Sequence, residues 1–276
     1  MFCAPSFFIF MASSYTHHLV AARVFNTLPA PLKEAVSPYL SLYFFGAQGA
    51  DFCFFCPLTE GVKKPVNFGS YLHRYGGFSA FSVCKLFSAT DKAVFAYSLG
   101  YITHYAADTI FHPFVYATAG KSPLRHSRVE RALDLFLKRI LPNEDTYDTY
   151  YAKKPSEKER QTLFLLYSAF AAANRLPVLK KTAFYRSFTL FNAYLPRLSA
   201  VLSGKNTRLI NALSNAENAE WANPAAPVLK SFDGGAELFE KSVKNALFMI
   251  EEFDLAVKNK TALPFAVFGK NYLSGL

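Results

Sequence analysis

The sequence predicts an all-α fold, a single multi-helix domain, from three observations. Ala and Leu recur at spacings of three and four, and runs of β-branched residues are rare. Prolines bound several of the periodic segments, at Pro29, Pro113 and Pro142. No internal repeat and no low-complexity linker divides the chain, so one helical domain is the simplest architecture.

In chain order, a first helix is expected over His17–Leu28, ending before Pro29 and Pro31, and a second over Pro31–Tyr43. Gly46–Asp51 (GAQGAD) reads as a turn. It is only superficially like a phosphate loop, since no Lys-Ser/Thr follows and no strand precedes it. Gly76-Gly77 opens a segment running to Ala89. Asp91 can cap a long helix from Lys92 to about Phe111, and Pro113 is expected to break it. Pro142 stops a helix over His126–Ile140, and the polar stretch Asn143–Ser156 reads as a loop. Further helices are expected at Glu157–Asn174 and Val178–Tyr194, with a weaker one near Asn206–Asn215 and a well-patterned last one over Gly235–Val257.

The chain has 276 residues, 51% hydrophobic and 17% aromatic, with 29 Phe, 16 Tyr and one Trp. That much apolar surface offsets the ordering entropy and excludes a disordered chain. The formal net charge of +10 favours anionic partners: phosphates, nucleic acid or an anionic membrane surface. No run of like charge is long enough for a nucleic-acid arm. The longest apolar stretch, Leu163–Ala173, falls short of the ~18 to 20 residues a membrane span needs. The first residues, MFCAPSFFIF, lack the basic start and cleavage site of a signal peptide. A cytoplasmic protein able to work at a membrane periphery is therefore expected, with no obligatory protein partner evident. Four cysteines (Cys3, Cys53, Cys56 and Cys84) are no disulfide framework and fit a reducing compartment. Cys53 and Cys56 form a C-x-x-C among phenylalanines and read as buried thiols rather than ligands.

The six histidines, His17, His18, His73, His104, His112 and His126, all lie in the first 126 residues. A metal site needs such clustering, because several neutral imidazoles must converge on one ion. The sharpest motif is His104-x-x-x-Asp108-x-x-x-His112. Positions four apart drift only ~40° around a helix, so the three side chains form one stripe. Burying them unpaired costs ~2 kcal/mol or more each; a metal would satisfy all three, as would a network of core hydrogen bonds. His126-x-x-x-Glu130 again places two ligand types on one helix face. Two antiparallel helices joined by the Pro113–Pro123 loop would bring the motifs together. Asp51 ends the glycine turn, where a side chain can be aimed, while His73 is isolated. His17 and His18 point ~100° apart on a helix, so only one can face a shared site; His17 is preferred.

The order His17, Asp51, His73, His104-x-x-x-Asp108, His112, His126-x-x-x-Glu130 resembles the zinc-dependent phospholipase C family, whose all-α fold is shared with zinc-dependent single-strand nucleases. The strings SSYTHHLVA, FFGAQGADFCFF and YSLGYITHYAADTIFHPFV agree with it. WANP (Trp221–Pro224) is similar to the second half of bacterial members. The likeness is strong over residues 13–130 and thin over 141–220. It places the metal cluster between helices of the N-terminal half, within 17–130, with a helical C-terminal part over 141–276. It implies two or three Zn²⁺ ions per chain. Asp51, His73, His104 and Asp108 would hold one; His112, His126 and Glu130 a second; Asp108 would bridge to a third, shared with His17. Asp51 would also serve as the catalytic base, with Phe52, Arg74 and Arg128 as substrate contacts.

In the family the mature N-terminal residue, commonly Trp, completes the third zinc. This chain has no such Trp, but Ala12, after Met11, lies five residues before His17, the family spacing. Residues 1–11 are therefore expected to be a non-native or processed extension, with 12–276 as the domain. The implied activity is hydrolysis of a phosphoric ester, foremost phospholipase C-like cleavage of a phospholipid head group by metal-activated water. The alternatives are a nuclease or small phosphodiesterase on the same cluster, or a member that binds metal or membrane without catalysis.

Overall fold

A computed structural model describes residues 14–58, 67–75, 77–120, 123–141, 147–150, 153–202 and 233–275, and among these every regular element is helical. The order is α1 (Ser14–Thr27), α2 (Ala30–Val36), a 3₁₀ turn (Ser37–Tyr39), α3 (Leu40–Gly46), a second 3₁₀ turn (Asp51–Phe55), α4 (Phe68–Tyr75), α5 (Gly77–Ser88), α6 (Lys92–Ala119) and α7 (Pro123–Ile140). Then come a third 3₁₀ turn (Asp148–Tyr150), α8 (Glu157–Ala173), α9 (Lys181–Leu202), α10 (Asp233–Lys258) and the short α11 (Phe265–Phe268).

Helix α6 is the axis of the fold. Its sequence is apolar on all sides, which suits a helix surrounded by others. Helices α1, α2, α3, α5, α7 and α10 all pack against it. Asp91 caps it as the sequence predicts, accepting from the amides of Ala93 (2.8 Å) and Val94 (3.2 Å). The tightest crossing is with α3, where a Cβ on Gly100 would fall 1.9 Å from the Tyr43 carbonyl oxygen. Only glycine permits that approach. Ser156 and Glu159 form a reciprocal capping box at the start of α8.

The structure corrects several expected boundaries. Helix α6 continues through Pro113 to Ala119 instead of breaking. A proline inside a helix costs ~3 kcal/mol by removing one donor. Here Val115, Thr118 and Ala119 are buried beyond it, and that burial holds the distal turns in place. The Thr109 carbonyl, which loses its helical donor, lies close against Gly275 instead. Helix α7 starts at Pro123, three residues before His126, because proline suits a first helical position. The single helix expected over Pro31–Tyr43 is interrupted by the 3₁₀ turn containing Pro38. His73 lies on α4, which the sequence reading did not foresee. The expected weak helix at Asn206–Asn215, the WANP string and residues 1–11 lie outside the described residues.

Candidate metal centre

Five segments bring their polar side chains to the axis of the fold. Helix α1 supplies His17, the start of the second 3₁₀ turn Asp51, α4 His73, α6 the stripe His104–Asp108–His112, and α7 His126 with Glu130; all are buried. Asp108 is the hub. Its Oδ1 lies 3.2 Å from His17 Nε2, and its Oδ2 lies 3.2 Å from His104 Nε2 and 3.6 Å from His73 Nε2. Asp51 Oδ1 lies 3.2 Å from His73 Nε2 and 3.9 Å from His104 Nε2. Glu130 Oε1 lies 2.7 Å from His126 Nε2 and 3.6 Å from His112 Nε2.

Backbone oxygens set the imidazole orientations. His73 Nδ1 donates to the Gly69 carbonyl (2.8 Å) and His112 Nδ1 to the Tyr272 carbonyl (3.0 Å). These bonds leave His73 Nε2 facing Asp51 and Asp108 and His112 Nε2 facing Glu130, while His112 Nδ1 also lies 3.7 Å from Asp108 Oδ1; such bonds fix a ligand's tautomer. Gly49, at φ +56°, lets the turn before Asp51 pass the His104 ring, where a Cβ would lie 2.0 Å from Cδ2. Helix α1 is anchored beside His17 by Asp134 of α7, whose Oδ1 accepts from the Thr16 amide (2.8 Å) and hydroxyl (2.7 Å). Gln48 Nε2 donates to the Ser14 carbonyl at the same end (3.2 Å).

The electrostatics follow from burial against pairing. Burial alone would raise the Asp108 pKa, but the His104 and His112 imidazoles outweigh it and hold the carboxyl far below its usual range. Burial lowers His104, which keeps its ring neutral and its lone pair available. For His17 and His73 burial works in the same direction, yet the carboxylates of Asp108 and Asp51 respectively prevail and raise both. His112 is carried to about 9, with Asp108 and Glu130 overcoming its burial. Asp134, by contrast, is pushed up to about 7 by burial, in spite of its two Thr16 hydrogen bonds.

These residues fit a metal. Neither Asp51 oxygen, neither His104 ring nitrogen, nor Asp108 Oδ2 makes a hydrogen bond among the described residues, although all are buried. Orphaned groups of this kind cost several kcal/mol unless something neutralises them. Two atoms each 2.0–2.2 Å from one tetrahedral ion lie about 3.3–3.5 Å apart, close to the 3.2–3.6 Å nitrogen–oxygen approaches found here. Three sets offer ligand atoms mutually within 4.8 Å: Asp51–His73–His104, His17–His104–Asp108, and His112–His126–Glu130. His104 belongs to two of them, and the two oxygens of Asp108 face different imidazoles. Cys53 and Cys56 are buried free thiols outside these sets.

An open cavity of about 510 Å³, counting its solvent-filled mouth, reaches the cluster past Phe54, His73, Arg74, His112 and His126. The exposed Arg74 stands on its wall. Phe52 does not: it is fully buried and stacks on Phe188 at 4.7 Å. In a 3₁₀ turn, residues three apart eclipse one another. Phe54 therefore shares the Asp51 side and lies against the His73 ring at 4.8 Å, while Phe52 turns into the aromatic core. Arg128 belongs to α7, with its side chain outside the described ones. His18 packs on Phe44 in the core, leaving His17 to face Asp108. Tyr272, Asp134 and Gln48 were missed in the sequence, having no motif to mark them.

A family model described as zinc dependent phospholipase C matches residues 16–175, a span that contains all the converging side chains of α1 to α7. No curated protein and no solved structure matches the chain.

Proposed function

The chain belongs to the zinc-dependent phospholipase C family, and on that premise we propose that it hydrolyses the head-group phosphodiester of a phospholipid. The observation that carries the reading is the convergence of eight buried imidazoles and carboxylates, Asp108 among them as the hub, beside an open cavity walled by an arginine. His17, Asp51, His73, His104, Asp108, His112, His126 and Glu130 would hold two or three zinc ions. Bound zinc supplies hydroxide at neutral pH and draws charge from phosphate oxygens.

The chain's own residues do the rest. Asp51, at 0% exposure, would orient the attacking water and take its proton. Arg74 would meet a non-bridging phosphate oxygen at the cavity wall, where a guanidinium forms charge-assisted bonds. Phe54 would pack an apolar face against the entering substrate. Among the described residues no helix is long and apolar enough to cross a membrane, so lipid would be met at a surface, to which the net charge of +10 contributes attraction. A chain beginning at Ala12 would place a free amine, with a pKa of ~7.7 to 8.0, near His17 as a further ligand. N-terminal sequencing of native protein checks that, and Met1 as the mature terminus would refute it.

The test is elemental zinc per chain combined with three zinc-supplemented substrates: a diacyl phospholipid, single-stranded DNA and a chromogenic phosphodiester. Two or three zincs with phosphorylated head group released from the lipid are expected. Cleavage of DNA in preference to lipid would assign the cluster to a nuclease. Bound zinc without turnover of any of the three would make it a binding protein.

A further inference from the structure

The segment after α11 lies outside the span the family model matches, yet it lies against the centre. Tyr272 is buried, with its ring 5.0 Å from that of His73 and 4.6 Å from that of Tyr105. Its hydroxyl donates to the Tyr101 hydroxyl (2.9 Å), and the Tyr105 hydroxyl donates to the Lys270 carbonyl (2.7 Å). These contacts hold the segment on α4 and α6, the helices that carry His73, His104, Asp108 and His112.

One peptide unit in this segment has a specific task. The Tyr272 carbonyl accepts the His112 Nδ1 proton at 3.0 Å. The amide of the same planar unit, Leu273 N–H, donates to Asn271 Oδ1 at 2.8 Å. Oxygen and hydrogen of a trans peptide point in opposite directions from one rigid plane. Fixing the N–H therefore aims the carbonyl. Asn271 Oδ1 also accepts from the Ser274 amide (3.2 Å), and its Nδ2 donates to the Arg74 carbonyl (3.2 Å). Asn271 is thus tied to α4 at one end and to the peptide plane at the other.

We propose that Asn271 is a positioning residue for the metal centre: by holding the 272–273 peptide plane, it aims the Tyr272 carbonyl at His112 and so presents His112 Nε2 to an ion shared with His126 and Glu130. The proposal rests on the zinc reading above. It assigns a role in metal retention to a residue far along the chain from every ligand. Without the Asn271 acceptor the plane rotates more freely, and His112 loses the partner that fixes its tautomer.

The experiment compares the full-length chain with Asn271→Ala and Asn271→Asp. Aspartate keeps the acceptor for the Leu273 and Ser274 amides; alanine removes it. Zinc per chain and its release to a chelator are followed, with thermal melts as a control on folding. Asn271→Ala should lose one class of zinc about 10- to 100-fold faster, the usual effect of removing an outer-shell partner. The remaining zinc should be unaffected, and Asn271→Asp should stay within about threefold of the parent on the same scale. Unchanged release in a folded Asn271→Ala chain would overturn the proposal. Nitrogen-15 spectra of histidine-labelled parent protein test it without any variant. His112 should carry a hydrogen-bonded proton on Nδ1 and bind through Nε2; coordination through Nδ1 would overturn it. A parent chain that binds no zinc would defeat the functional reading itself, a result distinct from zinc that binds indifferently to Asn271.

Discussion

The two ends of the cluster are built differently. The inner end, Asp51, His73, His104, Asp108 and His17, draws on four separate segments. Buried carboxylate oxygens with no hydrogen bond among the described residues occur at both ends, on Asp51 and on Glu130. The outer end, His112, His126 and Glu130, comes from two successive helices and adjoins the open cavity through His112 and His126. The inner end is therefore a product of tertiary packing, and errors in that packing fall directly on it. The outer end is largely a product of helical spacing, with the orientation of His112 supported from outside by the Tyr272 carbonyl. On that contrast, substitutions should damage the inner end more, and in ways that couple ions together.

The largest effect is expected at the hub. Asp108→Asn removes a charge whose two oxygens face different imidazoles, so it should loosen two ions at once. It should cut activity by about 10³-fold or more, against about 10- to 100-fold for Glu130→Gln, which would stand at one ion only. Zinc analysis and turnover of both variants check this; equal losses would argue against a bridging Asp108.

Gly49→Ala comes next and attacks the inner end without touching a ligand. The added carbon would fall 2.0 Å from the His104 ring at a backbone φ of +56°. A loss of about 1–3 kcal/mol in stability is expected from the strain, together with zinc loss from the sets that contain His104. Denaturant melts with and without chelator measure both, and a fully loaded, equally stable variant would show that the turn has room to give.

A smaller effect concerns the contact of α7 with α1 beside His17. Burial lifts Asp134 to about 7 in the folded chain, against roughly 3.9 when unfolded. The folded state then holds the extra proton between those values, so this group's contribution to stability falls as pH rises from about 4 to about 7. Asp134→Asn keeps an oxygen for Thr16 and cannot titrate. Relative to it, the metal-free parent should lose up to a few kcal/mol across that window. Parallel stability profiles of the two chains would refute the assignment. The smallest effect on metal is expected from changing Cys53 and Cys56 together to Ser. Both thiols are buried and belong to none of the ligand sets, so zinc content should stay at the parent value; a stripped protein would show them to be ligands.

What the sequence by itself determined is what local spacing can encode. The all-α class follows from apolar periodicity. The stripe His104–Asp108–His112 and the pair His126–Glu130 follow from the four-residue repeat of a helix face, and the Asp91 cap from a short polar side chain ahead of an apolar run. The tertiary structure alone decided the rest. Whether α6 survives Pro113 depended on burial beyond the proline, which no window of residues contains. Phe54 rather than Phe52 faces the cavity because the chain there is a 3₁₀ turn, with its own three-residue period. His73 joins Asp51 because α4 folds back over that turn; Asp134 meets the Thr16 amide and Asn271 the Arg74 carbonyl, backbone groups far away in the chain. Main-chain amides and carbonyls are present at every residue and leave no compositional trace. A partner that recognises them becomes visible only when folding brings it within hydrogen-bond distance.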